Sequence, residues 1–169
     1  TGLAVGLFAG WRYTEIGGRE LDRKFIMNDP EYANSQIILG GANFGCGSSR
    51  EHAVWALAEY GFRAVLAPSF APIFARNCTR NGILPAVLDA EEILKIAESG
   101  ASVSIDLAEQ SISIKNGDSW SFPIDEEAKA MLLEGLDAID LSLQMADDIA
   151  AWQQADRAAR PWIYLGTSI

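Results

Sequence analysis

Apolar positions keep no steady period at the start of the chain. Between Thr1 and Asn34, Leu7, Phe8, Trp11 and Tyr13 are interrupted by Gly2, Gly6, Gly10 and the Gly17-Gly18 pair, which reads as a loop-like arm. Two roles are open for it: a surface arm packed by its own aromatics, or a wall of a ligand pocket or partner surface. From Gln36 the pattern sharpens. Residues 36–39 are a short apolar run of strand type, and Val54, Leu57 and Ala58 then recur at helical spacing. The spacing predicts a helix over 49–60 with Gly61 as its stop. Residues 64–67, Ala-Val-Leu-Ala, predict a buried strand bounded by Pro68. Ser69 is the expected cap of a second helix, with Pro72 in its first turn, Phe70, Ile73 and Phe74 as its apolar stripe and Gly82 at its end. Residues 84–88 predict a third strand. Asp89 and Glu92 form a capping box for a helix to Glu98, stopped by Gly100. This alternation of strand and helix implies parallel strands with helical crossovers.

Past Gly100 the period drops to two. Val103, Ile105 and Leu107 alternate with polar residues, as do Ile112 and Ile114, then Trp120 and Phe122, and Asn116-Gly117 is a hairpin signal. The prediction is a β-meander with one wet face. Residues 126–134 and 141–159 read as helices, the second ended by Arg160-Pro161, and the tail to Ile169 carries no firm pattern. With no repeat and no linker, 1–169 is expected to form a single α/β domain.

Composition narrows the function classes. The 169 residues suffice for one domain with a core. A net charge of −10 argues against nucleic acid and anionic membrane surfaces as partners. No apolar run approaches membrane-spanning length, and no charged-then-apolar leader opens the sequence. Cys46 and Cys78 are the only cysteines. They make neither a disulfide framework nor a Cys-x-x-Cys motif for zinc or iron–sulfur, so a reducing cytoplasm is the simplest setting.

The candidate chemistry sits at the first strand-to-helix turn, Gly45-Cys46-Gly47-Ser48-Ser49-Arg50-Glu51-His52-Ala53. Gly45 and Gly47 let the backbone bend and approach a ligand. Ser48 and Ser49 stand where unpaired helix N–H groups favour an anion, and Arg50 adds a fork of donors suited to carboxylate or phosphate. The stretch lacks the lysine of a P-loop, and Arg50 occupies the last glycine position of a dinucleotide fingerprint. A plain alternative is a capping box from Ser48 to Glu51.

The same stretch, with Trp55-Ala56-Leu57, Tyr60-Gly61-Phe62-Arg63, Ala67-Pro68-Ser69-Phe70-Ala71 and Asn81-Gly82-Ile83-Leu84-Pro85, resembles the swivel domain of the aconitase family. Within it the chain is similar to the small subunits of bacterial 3-isopropylmalate dehydratases of leucine biosynthesis, from about Leu7 to about Trp152. That family's fold is a three-layer β/β/α swivelling domain. The resemblance implies Ser48 as the catalytic base, Ser49 giving a backbone N–H to the same oxyanion, and Arg50 clamping a substrate carboxylate. It implies no metal on this chain, a partner large subunit bearing a 4Fe–4S cluster, and a hydroxy-diacid substrate. Related hydro-lyases of the methylmalate/citraconate or homoaconitate type, a non-catalytic anion-binding module and a decayed paralogue are the rival readings. The family carries an Asp-Thr-Asp segment and a first strand ahead of this point, so that N-terminal segment is expected to be missing from the domain that begins at Thr1. In the similar subunits the 1–34 region is an insertion near the active site.

Other residues divide more evenly. His52, the sole histidine, is open to a general-acid role and to a hydrogen-bonded supporting one. Asn77 interrupts the apolar stripe four residues after Ile73, and either orients the loop or is a satisfied buried amide. Cys46, open to a reactive-thiol role, is expected to pack, and Cys78 to lie in the core. Arg76, Arg80 and the Asp147-Asp148 pair are expected in solvent, and Trp55 against the neighbouring loop or a partner.

Overall fold

The structure, a computed structural model, describes residues 2–15, 17–47, 50–115 and 117–164. It falls into two compact units, Thr1–Gly135 and Leu136–Ile169.

In the first unit, β1 (Ile37–Leu39), β2 (Ala64–Ala67) and β3 (Leu84–Val87) form a parallel sheet in that order. Ile38 faces Val65, which in turn faces Pro85. The central strand is buried at all four positions, because a parallel sheet with helical crossovers is covered on both faces. Its side chains alternate between two cores. Val65 joins Val54, Leu57, Phe74 and Cys78 from helices α2 (His52–Tyr60) and α3 (Pro72–Arg80), numbered after the short helix α1 (Ala9–Arg12) of the N-terminal arm. Ala64 and Leu66 point the other way, against Ile93 and Ile96 of α4 (Ala90–Ser99), Ile112 and Phe122. The second sheet supplies that far layer: β4 (Val103–Asp106), β5 (Ser111–Ile114) and β6 (Ser119–Ser121) pair antiparallel in sequence order. Ile105 lies opposite Ile112, which lies opposite Trp120. Helices, parallel sheet and meander stack as the expected β/β/α layers. Leu66 is fully buried between two of them. Leu66→Ala is expected to cost about 2–5 kcal/mol, read as a lower denaturant midpoint at unchanged slope.

Most element boundaries follow local signals. Gly61 adopts φ 118° and its N–H reaches the Leu57 and Ala58 carbonyls, closing α2 where the sequence predicts. The Asp89 N–H donates to Glu92 Oε2 at 2.9 Å, completing the predicted box at α4. Helix α5 (Glu126–Glu134) starts at Asp125, whose carboxylate accepts from the N–H groups of Glu127 and Ala128. The hairpin residue Asn116 lies outside the described residues.

Two expectations for the later helices fail. Helix α3 begins at Pro72 with Ala71 at its cap, so Ser69 is not the cap. Phe70 then precedes the helix and Ile73 is 54% exposed, which leaves Phe74 and Cys78, four apart, as its buried stripe. The expected helix over 141–159 is two helices of the second unit, α6 (Ala138–Leu143) and α7 (Ala146–Ala159). Asp137 and Asp140 build a capping box at the first. Asp147 and Asp148 sit in the first turn of the second, where carboxylates favour a helix start. Past α7, the Tyr164 hydroxyl donates to Asp156 Oδ2 at 2.6 Å, and Arg160 pairs with the same carboxylate. The Tyr164 bond, opposed by partial desolvation and joined by Arg160, holds the Asp156 carboxyl below its ordinary value. Among the described residues no helix is long and apolar enough to cross a membrane.

Candidate active site

The loop between β1 and α2 is anchored before it reaches the candidate chemistry. Asn43, at φ 56°, donates its backbone N–H to Ser69 Oγ at 2.8 Å. The Phe44 N–H donates to the Ser69 carbonyl, and the Ala71 N–H donates to the Phe44 carbonyl, both at 2.9 Å. Ser69, expected as a helix cap, therefore holds the glycine loop instead. The Phe44 ring meets the Phe74 ring edge-on at 5.5 Å. Next to it, Gly45 takes φ 82°, and a Cβ there would lie 2.1 Å from Phe74 Cγ. Only glycine meets both demands, the left-handed backbone and the close approach to an aromatic ring. Gly47 has neither constraint: a Cβ on it meets nothing within 4 Å.

Ser48 and Ser49 lie outside the described residues. Arg50 is exposed. The helix begins at His52 rather than at residue 49. The Arg50 carbonyl accepts from the Ala53 N–H at 3.3 Å, and the Glu51 carbonyl from Val54 and Trp55 at 2.9 and 3.1 Å, so the entry is a tighter turn than an α-helix. Glu51 is half-buried, and its Oε1 accepts from Asn81 Nδ2 at 2.7 Å. The Ser48 half of the alternative capping box lies outside the described residues. His52 is exposed, its ring 4.7 Å from that of Trp55. Asn77 is half-buried and contributes its carbonyl, which accepts from Asn81 Nδ2 at 2.8 Å.

Asn81 is thus the amide that touches the start of α2, and sequence reasoning passed it over for Asn77. The signal for it was its place at the helix end beside Gly82, where an asparagine side chain is free to leave the helix and offer two donors and an acceptor. Trp55, 39% exposed, donates its indole N–H to Asn81 Oδ1 at 3.0 Å, which ties it to the neighbouring helix end. Arg76 and Arg80 are exposed as expected.

The two thiols differ. Cys78 is fully buried, and burial pushes its thiol from 9.0 up to about 12. Cys46 is exposed rather than packed. Native protein is expected to titrate one thiol with a disulfide reagent at pH 8 and two after denaturation. The folded form favours the neutral Cys78 thiol, so this contribution to stability is complete below pH 9 and is lost as pH rises towards 12. Among the described residues no group of three His, Cys, Asp or Glu side chains is placed to hold a metal ion, and one exposed thiol with one buried one does not fit an iron–sulfur cluster. A hollow of about 320 Å³ opens between β1–β3 and the meander, lined by Gln36, Ile37, Arg63, Leu84, Val103 and Ile105 among others. None of its lining residues belongs to the glycine loop.

Three layers with an anchored glycine loop leading into α2 define the class: a family model for the aconitase C-terminal domain matches residues 1–91. A model described as LeuD_N matches 91–126, and one for the C-terminal domain of the 3-isopropylmalate dehydratase small subunit matches 139–164. The 3-isopropylmalate dehydratase small subunit of Cupriavidus necator is 49% identical over 96% of this chain and 81% of that protein. The protein of the same name from Paramagnetospirillum magneticum is 47% identical over 96% and 83%. A solved structure of 3-isopropylmalate dehydratase (leuD) from Methanocaldococcus jannaschii superposes with a TM-score of 0.57 at 32% identity, over 77% of this chain and 75% of that one. The chain belongs to the family of 3-isopropylmalate dehydratase small subunits, lyase subunits of leucine biosynthesis within the aconitase family.

Proposed function

We propose that this chain serves a 3-isopropylmalate dehydratase by closing its glycine loop over a hydroxy-diacid held by a large subunit. Together they would convert 2-isopropylmalate to 3-isopropylmalate through isopropylmaleate, in a reducing cytoplasm. Ser48, as alkoxide, takes the proton from the carbon beside a carboxylate. The C–H electron pair becomes the new double bond as the hydroxyl leaves the neighbouring carbon. Re-addition of water with the positions exchanged gives the isomer. A serine hydroxyl is too weak an acid to ionise unaided, so its anion needs a fixed positive surround: the Ser49 N–H and the Arg50 guanidinium. Arg50 also clamps a substrate carboxylate in two-pronged fashion. Loss of the hydroxyl needs Lewis-acid help, which we assign to the large subunit's 4Fe–4S cluster, since the donors on this chain do not fit one.

The observation that carries this reading is the anchoring of the loop. Phe74 under Gly45 and Ser69 on Asn43 fix the described backbone just ahead of Ser48 through contacts within the chain, and a rigidly held backbone of that kind is what stabilises a developing charge. The decisive experiment is anaerobic reconstitution with a cluster-bearing large subunit, following isopropylmaleate formation. Turnover by the mixture and by neither chain alone is the expected result. Inactive mixtures together with phosphate or nucleotide binding by this chain would instead favour an anion-binding module. Faster turnover of methylmalate- or homocitrate-type acids would reassign the substrate and leave the roles of the residues intact.

A further inference from the structure

We infer that Asn81 is a positioning residue for the glycine loop, clamping the first turn of α2 to the end of α3; the inference rests on the reading of that loop as the reaction site. Its amide is used on both sides. Nδ2 donates to Glu51 Oε1 at 2.7 Å and to the Asn77 carbonyl at 2.8 Å, and Oδ1 accepts from the Trp55 indole N–H at 3.0 Å. Turning the amide over would set its oxygen against a carboxylate and a carbonyl, and its NH₂ against the indole donor, so the network fixes one orientation. The bond to Glu51 has an ionised acceptor, the stronger kind.

Geometry gives this contact its consequence. Glu51 and Trp55 are four apart and share a face of α2, one turn from each other. Asn81 grips both, from 30 and 26 residues away in the chain. Helix α3 therefore holds the loop at two points. Its first turn places Phe74 against Gly45, and the residue just past its last turn holds Glu51. In the sequence, Ser48, Ser49 and Arg50 fall between Gly45 and Glu51, the two residues so held. Glu51 adjoins Arg50 by one peptide bond, so release of its side chain loosens the guanidinium and the hydroxyl that precede it.

The test is made on the reconstituted two-subunit enzyme. Asn81→Asp removes the donor and sets a carboxylate against Glu51. Its kcat/KM is expected to fall by about 10²-fold at pH 8, as for a misplaced catalytic group, and to recover as the pH drops and the pair comes to share a proton. Arg50, His52 and Arg80 flank this pair on the two elements. All three are also present in wild type, so the diagnostic is the difference between the two pH profiles. The exchanged pair Asn81→Asp with Glu51→Gln restores a donor facing a carboxylate, and is expected to return activity to within about 10-fold of wild type with the recovery at low pH abolished. A loss in Asn81→Asp that is independent of pH and not reversed by the exchange would overturn the proposal.

One readout needs no turnover. In the isolated chain, Asn81→Ala is expected to move the Trp55 indole N–H resonance, assigned through Trp55→Phe, and to speed hydrogen exchange at the Ala53, Val54 and Trp55 amides. An unmoved indole with unchanged exchange would overturn the clamp even if the wild-type mixture is active. A moved indole in a chain whose mixture with the large subunit is inactive would uphold the clamp and sink the catalytic reading.

Discussion

Ser48→Ala is expected to lower kcat of the reconstituted enzyme by about 10³-fold, within the range that a positioned proton-transfer group contributes. Substrate affinity should change little, because the carboxylate clamp assigned to Arg50 remains. The surroundings make the effect large. Gly45 is held on Phe74 upstream, Glu51 is held on Asn81 downstream, and an arginine follows the serine pair directly. A methyl group at residue 48 should leave that frame standing and remove only the proposed proton acceptor. The thermal midpoint should therefore stay near wild type, which separates lost chemistry from lost folding. Single-turnover measurement of hydrogen–deuterium exchange at the substrate carbon locates the loss. Retention of wild-type exchange in Ser48→Ala would move the base to another residue.

Gly45→Ala should act through structure. A left-handed backbone costs an ordinary residue roughly 1–2 kcal/mol. The added methyl carbon would also lie 2.1 Å from Phe74 Cγ and 2.5 Å from its Cβ, and overpacking of that kind costs about 1–3 kcal/mol more. The sum is about 2–5 kcal/mol, or roughly 4–20 °C in the thermal midpoint of a chain this size. Phe74 is 3% exposed and belongs to the core beneath α2 and α3, so it has little room to yield. The loop should move instead, carrying residues 46–50 with it and lowering activity as well as stability. Gly47→Ala is the stability control: its Cβ meets nothing within 4 Å, and its melting should match wild type within about 0.5 kcal/mol. Equal melting of the two variants would mean that the Gly45–Phe74 approach carries no constraint.

Much of this molecule was legible in the order of its residues. Strand against helix could be told from the spacing of Val54, Leu57 and Ala58, from the unbroken Ala64–Ala67 run, and from the alternation after Gly100. Helix ends could be told from Gly61 and from Asp89 with Glu92. These signals are local: each depends on groups within about four positions of one another. The glycine-serine-arginine stretch also pointed to a family without coordinates, and family comparison upholds that family.

The tertiary structure decided the rest. It exposed Ile73 and gave Ser69 to the Asn43 amide rather than to a helix end. It chose Asn81 over Asn77 as the amide at the start of α2. Each of these contacts joins residues separated by tens of positions or depends on which face of a helix a layer covers. A side chain's donors are written in the sequence, but the acceptor that meets them is set only when the sheet brings α2 and α3 side by side.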